Sequence, residues 1–74
     1  MTDERDLIER AKKYLKSHYG EDTVSMTVTD DSVRDGNGIL SVDCTVSVNG
    51  HESDWSKKFH FKNREVVNMN ARLR

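Results

Sequence analysis

The fold is decided by residues 39–61, which read ILSVDCTVSVNGHESDWSKKFHF. Two stretches of alternating apolar and polar residues flank an Asn-Gly dipeptide at 49–50, a combination typical of a two-residue hairpin turn. Such a turn places Val48 opposite His51 and thereby fixes the register of both strands, with one mostly apolar face and one polar face. The apolar face then pairs Val46 with Ser53, Cys44 with Trp55, Val42 with Lys57 and Leu40 with Phe59, and the polar face pairs Ser47 with Glu52, Thr45 with Asp54, Asp43 with Ser56 and Ser41 with Lys58.

The length of 74 residues predicts a single domain over 1–74 with a small hydrophobic core. The lone cysteine, Cys44, cannot form an internal disulfide, which favours a reducing cytoplasm. The charged opening residues are unlike a signal peptide, and no apolar run is long enough to span a membrane. We therefore expect a cytoplasmic protein without a membrane segment.

The net charge of −1 hides an uneven distribution. Residues 1–56 hold six Lys/Arg and twelve Asp/Glu, which gives −6, and residues 57–74 hold six Lys/Arg and one Glu, which gives +5. A charge dipole of this kind can orient a partner or a second subunit.

Residues 3–19 are predicted to form one amphipathic helix, because apolar residues recur at helical spacing. Thr2 is the expected N-cap, and Gly20 is expected to end the helix in a left-handed conformation. The predicted apolar stripe consists of Leu7, Ile8, Ala11, Tyr14, Leu15 and either His18 or Tyr19.

The segment 23–29 alternates and is rich in β-branched residues, so it predicts a first strand with Val24, Met26 and Val28 facing inward. No charge or proline interrupts this strand, so its edge is expected to be open to pairing. Residues 30–38 follow as a turn-rich loop.

A fourth strand is predicted over 65–73, with Val67, Met69, Ala71 and Leu73 on one face. A two-residue loop before it would turn this apolar set to the wrong side of the sheet. We therefore expect a three-residue loop over 62–64, with Val67 opposite Phe59, Met69 opposite Lys57 and Ala71 opposite Trp55.

The predicted architecture is α+β, with one N-terminal helix packed on a four-stranded antiparallel meander in the order 1-2-3-4. Four strands at about 4.8 Å spacing are wider than one helix of about 10 Å, so one helix cannot cover a flat sheet of this size. Either the sheet curls around the helix or a second copy covers the remainder.

A helix followed by a curled meander is similar to the cystatin-like architecture, over most of the chain and in element order. The protease-inhibitor members of that family carry Gln-x-Val-x-Gly in the first hairpin after the helix. The corresponding loop here, 30–38, has no such run. The resemblance implies a fold and does not imply protease inhibition.

A candidate pocket lies on the third strand, where His51, Ser53, Trp55 and Lys57 project from one face. Lys57 is unusual because the register places its charge among apolar neighbours. We expect a local bulge at Ser56-Lys57, or extension of the amine past the helix into water, to explain it. Cys44 is interpreted as a small core residue, and the three dispersed histidines do not indicate a metal site.

A candidate basic patch lies on the outer side of strands three and four and on their turn, where it could contact phosphates. The polar face carries no aromatic residue on which bases could stack, which is a feature against nucleic acid. The patch comprises Lys58, His60, Lys62, Arg64, Arg72 and Arg74.

These features favour a small non-enzymatic interaction module without a cofactor, acting through a protein partner or as a homodimer. One alternative is nucleic-acid binding by the basic outer side of strands three and four. The other is a small-ligand or enzyme site around His51, Trp55 and Lys57.

Overall fold

The computed structural model describes residues 4–74 and contains one helix followed by four strands. The strands form one antiparallel sheet in the order 1-2-3-4, as predicted, with the first and fourth strands at its two edges. The predicted N-cap, Thr2, lies outside the described residues. The elements are α1 (Glu4–Tyr19), β1 (Asp22–Asp31), β2 (Gly38–Val48), β3 (His51–Lys62) and β4 (Glu65–Leu73).

Helix α1 ends as the sequence predicts. Gly20 has a φ of 66°, a value that glycine adopts without the steric cost of a Cβ atom. Its amide donates to the carbonyl of Lys16 at 3.1 Å, and the amide of Glu21 donates to the carbonyl of Leu15 at 3.2 Å. The chain therefore turns directly from the helix into β1.

The hairpin of β2 and β3 has the predicted register at every pair, from Val48 opposite His51 to Leu40 opposite Phe59. Its inner face carries the centre of the core, because the helix buries Leu7, Ala11 and Leu15 against it. Removal of this apolar surface from water stabilises the fold by about 25 cal/mol per Å². The loop between β1 and β2 contributes Val33 to the buried core, and the sheet contributes Leu40, Val42, Cys44, Val46, Phe59 and Phe61.

Strand β1 departs from the predicted alternation. Its register shifts at Val24 and again at Thr29, each shift being a β-bulge that adds one unpaired residue. Val24 is therefore 55% exposed, so its predicted inward position is wrong, whereas Met26 and Val28 do pack against the core. The bulges also make β1 a less regular edge than predicted.

Strand β4 differs from the prediction in its turn and in its register. The turn has two residues, Asn63 and Arg64, with Lys62 opposite Glu65. A bulge at Val67 then returns the following apolar residues of β4 to the inner face. The predicted three-residue loop and its pairings are therefore wrong. Val67 is 58% exposed. The observed inner pairs are Phe59 with Met69, Lys57 with Ala71 and Trp55 with Leu73.

One helix does not cover the whole inner face, in agreement with the width of the sheet. Val42 and Val46, near the centre, are buried, whereas Ala71 is exposed and Leu73 is 62% exposed. The uncovered part of the inner face therefore lies at the C-terminal end of β4, beyond Met69, which packs against the core.

Candidate functional site

Lys57 is a buried cation on the inner face of the sheet. Its side chain is 2% exposed, and its Nζ lies 3.0 Å from Oε1 of Glu21, whose side chain is 14% exposed. The register is continuous through Ser56 and Lys57. The expected bulge, or extension of the amine into water, is therefore wrong, because the charge is compensated inside the protein.

Two aromatic rings lie close to this amine. Nζ of Lys57 is 5.0 Å from the centroid of the Trp55 ring and 5.9 Å from that of Tyr19. Rings at this distance stabilise a cation through their negative faces. Nε1 of Trp55 donates to Oγ of Ser53 at 2.8 Å. The indole is thus held at the margin of the helix, where the covered and uncovered parts of the sheet meet.

The four residues of the candidate pocket share one strand and differ in exposure. His51 is exposed beside the hairpin turn, while Ser53 and Trp55 bind each other. Lys57 also borders a groove on the opposite face of the sheet, although its side chain lies on the inner face, and His51, Ser53 and Trp55 do not line that groove. A ligand site around these residues stays a prediction.

Cys44 lies opposite Trp55 and is 1% exposed. Burial raises the pKa of its thiol, and the charge of Lys57 lowers it by a smaller amount. A thiol of this kind is a poor nucleophile. Among residues 4–74, no group of three His, Cys, Asp or Glu residues is arranged to hold a metal ion.

The basic patch is divided by the structure. Lys58, Arg72 and Arg74 line one groove on the outer face, with a volume of about 660 Å³. Lys62 and Arg64 do not line it. His60 is at its margin, since its Nε2 and Nδ2 of Asn70 form a hydrogen bond of 3.1 Å.

We refer to this cavity as the outer-face groove. Two rows of residues across β2, β3 and β4 form its centre, because Lys58 pairs with both Ser41 and Asn70, and Ser56 pairs with both Asp43 and Arg72. The lining of the outer-face groove is Thr29, Ser41, Val42, Asp43, Ser56, Lys57, Lys58, Asn70, Ala71, Arg72, Leu73 and Arg74.

The charged groups in the outer-face groove differ in their partners. Asp43 accepts a hydrogen bond from Oγ of Ser56 at 2.9 Å and lies 3.7 Å from Nη1 of Arg74. Lys58 and Arg72 make no side-chain hydrogen bond or ion pair with other described residues. The groove therefore presents two free cations beside a fixed carboxylate.

The free edge of β4 is the second notable surface. Beyond the bulge at Val67, residues 68–73 pair with β3 without interruption. Proline is absent from the chain, and Arg72 is the one charged residue in this segment. Backbone groups along such an edge can pair with another strand, and one of them, the amide of Met69, already donates to Oδ1 of Asn68 at 2.9 Å.

Searches of protein families, of curated proteins and of solved structures found no match to this chain. The resemblance to the cystatin-like architecture therefore rests on element order. No described helix is long and apolar enough to cross a membrane.

The sequence did not identify Glu21 as the partner of Lys57, and it did not assign Asp43 to a candidate site. Glu21 was missed because the bulge at Val24 reverses the parity of the preceding residues, so that Thr23 lies on the inner face opposite Val46. Asp43 could have been found, since the hairpin register already placed it beside Ser56.

Proposed function

We propose that this chain is a small interaction module that binds a second copy of itself along the free edge of β4. The observation that carries this proposal is the regular segment 68–73, in which the helix leaves the inner side chains of Ala71 and Leu73 exposed. Its single free thiol is compatible with the cytoplasm as the place of action.

The occupant is argued from self-complementarity. Residues directly opposite in an antiparallel pair lie on the same face, so a symmetric pairing must be centred on one residue of β4. Centred on Ala71, the pairing uses the regular segment and does not reach the bulge at Val67. It sets Met69 opposite Leu73 on the inner face and Asn70 opposite Arg72 on the outer face, so no two arginines are directly opposed.

The other edge explains why growth would stop at a dimer. Strand β1 carries two bulges, and it begins with the acidic residue Asp22 and ends with Asp30 and Asp31. Bulges and edge charges protect a strand against further pairing. A two-fold pairing through β4 is therefore closed.

The experiment measures sedimentation of the protein from submicromolar to millimolar concentration. The wild type is expected to pass from monomer to dimer. Ala71→Lys should keep it monomeric, because the substitution places two like charges opposite each other at the symmetry axis. Ala71 is exposed in the monomer but lies opposite Lys57, so the added charge costs some stability, and circular dichroism checks that the variant is folded.

Thr27→Lys is the matched control, because Thr27 is an exposed residue in the middle of the other edge strand. It should dimerise like the wild type. A wild type that is monomeric at every concentration overturns the proposal. A dimer that Ala71→Lys leaves intact also overturns it, because the contact would then lie elsewhere.

A further inference from the structure

We propose that the outer-face groove binds a small phosphorylated polyol, such as a sugar phosphate. This is a site within one chain and does not depend on the proposed dimer. It uses the side of the sheet opposite the helix, where β2, β3 and β4 contribute side chains to one cavity.

The phosphate position follows from the two free cations. Lys58 lies opposite Asn70, and Arg72 is two residues further along β4, so the two cations are diagonal neighbours. Diagonal positions in an antiparallel sheet are about 7–8 Å apart, within reach of two long side chains that converge on one anion. The arginine fork binds two phosphate oxygens, and the lysine adds a point charge.

The hydroxyl position follows from Asp43. Its carboxylate is oriented by Ser56, and it lies in the same row as Arg72. A carboxylate beside cations disfavours a ligand that is anionic throughout, but it accepts hydrogen bonds from hydroxyl groups. Ser41 and Asn70, in the adjacent row, offer further donors and acceptors. The arrangement suits a ligand with one anionic end and several hydroxyls.

The dimensions and surroundings also favour a small ligand over a nucleic-acid strand. A groove of about 660 Å³ is within the range of about 300–1,000 Å³ that is typical of small-molecule sites. Further along the same face, towards the hairpin turn, lie Glu52 and Asp54, which would repel an extended polyanion. The described part of this face also lacks a Phe, Tyr or Trp side chain for base stacking, and its one aromatic ring is the imidazole of His60.

The test is an NMR titration of the backbone amides with glucose 6-phosphate, inorganic phosphate and uncharged glucose. It is run at a protein concentration at which the wild type is monomeric. Glucose 6-phosphate should shift the amides of the groove at saturable concentrations and bind more tightly than phosphate. Glucose alone should bind far more weakly than either.

Arg72→Gln should weaken binding of glucose 6-phosphate about tenfold or more, the loss expected for one charge-assisted hydrogen bond. Lys62→Gln is the matched control, because it removes the same charge from the outer side of β3 outside the groove. It should leave the affinity within about twofold of the wild type, as expected for a distant, solvent-screened charge.

Three results would overturn the inference. The first is an absence of saturable shifts with either phosphate compound. The second is an equal loss in Arg72→Gln and Lys62→Gln, which would mean that overall charge governs binding. The third is binding of a single-stranded oligonucleotide while both phosphate compounds leave the groove amides unchanged. Each result can occur whether or not the protein dimerises.

Discussion

Nζ of Lys57 lies 3.0 Å from Oε1 of Glu21, and this ion pair joins the middle of β3 to the segment that follows the helix. The lysine is 2% exposed and the glutamate 14%, so water reaches the carboxylate more easily than the amine. Without the carboxylate, the amine would be a buried charge that water does not reach. Without the amine, the carboxylate could still be partly hydrated.

Loss of the carboxylate should be the more damaging change. Glu21→Gln leaves a buried cation without its counter-charge and is expected to lower the free energy of unfolding by about 3 kcal/mol. Lys57→Met should cost less, because Glu21 can be hydrated and Met fits an apolar site. The double variant should be more stable than Glu21→Gln alone. Urea denaturation of the three variants measures these differences.

The exposed ion pair between Lys16 and Asp22 is the control for this series. Its atoms are closer, at 2.8 Å, but the two side chains are 63% and 66% exposed. Lys16→Gln should therefore cost less than about 1 kcal/mol. If Glu21→Gln cost no more than Lys16→Gln, the amine of Lys57 would have to reach water in the variant, which would contradict its burial.

Thr23 offers a stabilising substitution. Its Oγ1 is buried without a hydrogen-bond partner in the described part of the chain, and the residue faces Val46. Thr23→Val replaces the hydroxyl with a methyl of similar size and should raise the free energy of unfolding by about 1 kcal/mol. Thr27→Val, at an exposed position of the same strand, should change it by less than about 0.5 kcal/mol. Equal effects of the two in urea denaturation would show that strand propensity, rather than burial, is responsible.

The thiol of Cys44 predicts a stability that falls at alkaline pH. Burial raises its pKa in the folded state, so the unfolded chain loses this proton first as pH increases. The unfolded state then binds fewer protons than the folded state, and stability decreases through about pH 8–10. The raised pKa of Tyr14, also caused mainly by burial, acts in the same direction at higher pH.

Cys44→Ala should flatten this pH dependence between about pH 8 and 10. The quantity compared is the slope of unfolding free energy against pH, because loss of the buried sulfur lowers the stability at every pH. Lysine and tyrosine contributions remain in both proteins and cancel in the comparison. An unchanged slope in Cys44→Ala would contradict a raised pKa of the thiol.

The sequence predicted the strand pairing correctly where its turn and alternation signals were strong. The β2–β3 hairpin was predicted pair by pair, because a two-residue turn and unbroken alternation leave one register. The errors lie at three bulges, at Val24, Thr29 and Val67. A bulge inserts one residue without a distinctive residue type, so alternation alone does not reveal it.

The same errors limit what could be predicted of the site. The outer-face groove draws Asp43, Ser56 and Lys58 from the hairpin, and their common face was predicted correctly. Arg72 was assigned to the same basic patch as Lys58, but the predicted pairing of β4 was shifted by two residues, so their close approach was not predicted. Glu21 could not be assigned to Lys57, because the contact crosses from the helix end to the sheet and depends on a bulge.

The two-residue turn between β3 and β4, which the sequence analysis did not predict, has a strained backbone. Asn63 has a φ of 53° and Arg64 a φ of 67°, values that belong to a type I′ turn and favour Asn-Gly over Asn-Arg. Asn tolerates this conformation, whereas a long side chain at the second position is unfavourable. The turn is nevertheless held in place, because the amide of Arg64 donates to the carbonyl of Gly36 at 3.0 Å.

Arg64→Gly should therefore raise the free energy of unfolding by about 0.5–1 kcal/mol, because glycine relieves the left-handed strain and keeps the amide that bonds Gly36. The same substitution at Lys62, which is exposed and not among the residues with positive φ, should lower it by about 0.5–1 kcal/mol. Thermal and urea denaturation of the two variants provide the measurement. Opposite signs are expected because the two neighbouring sites differ in backbone conformation. A loss in both would show that packing of the Arg64 side chain against Gly36 outweighs the strain.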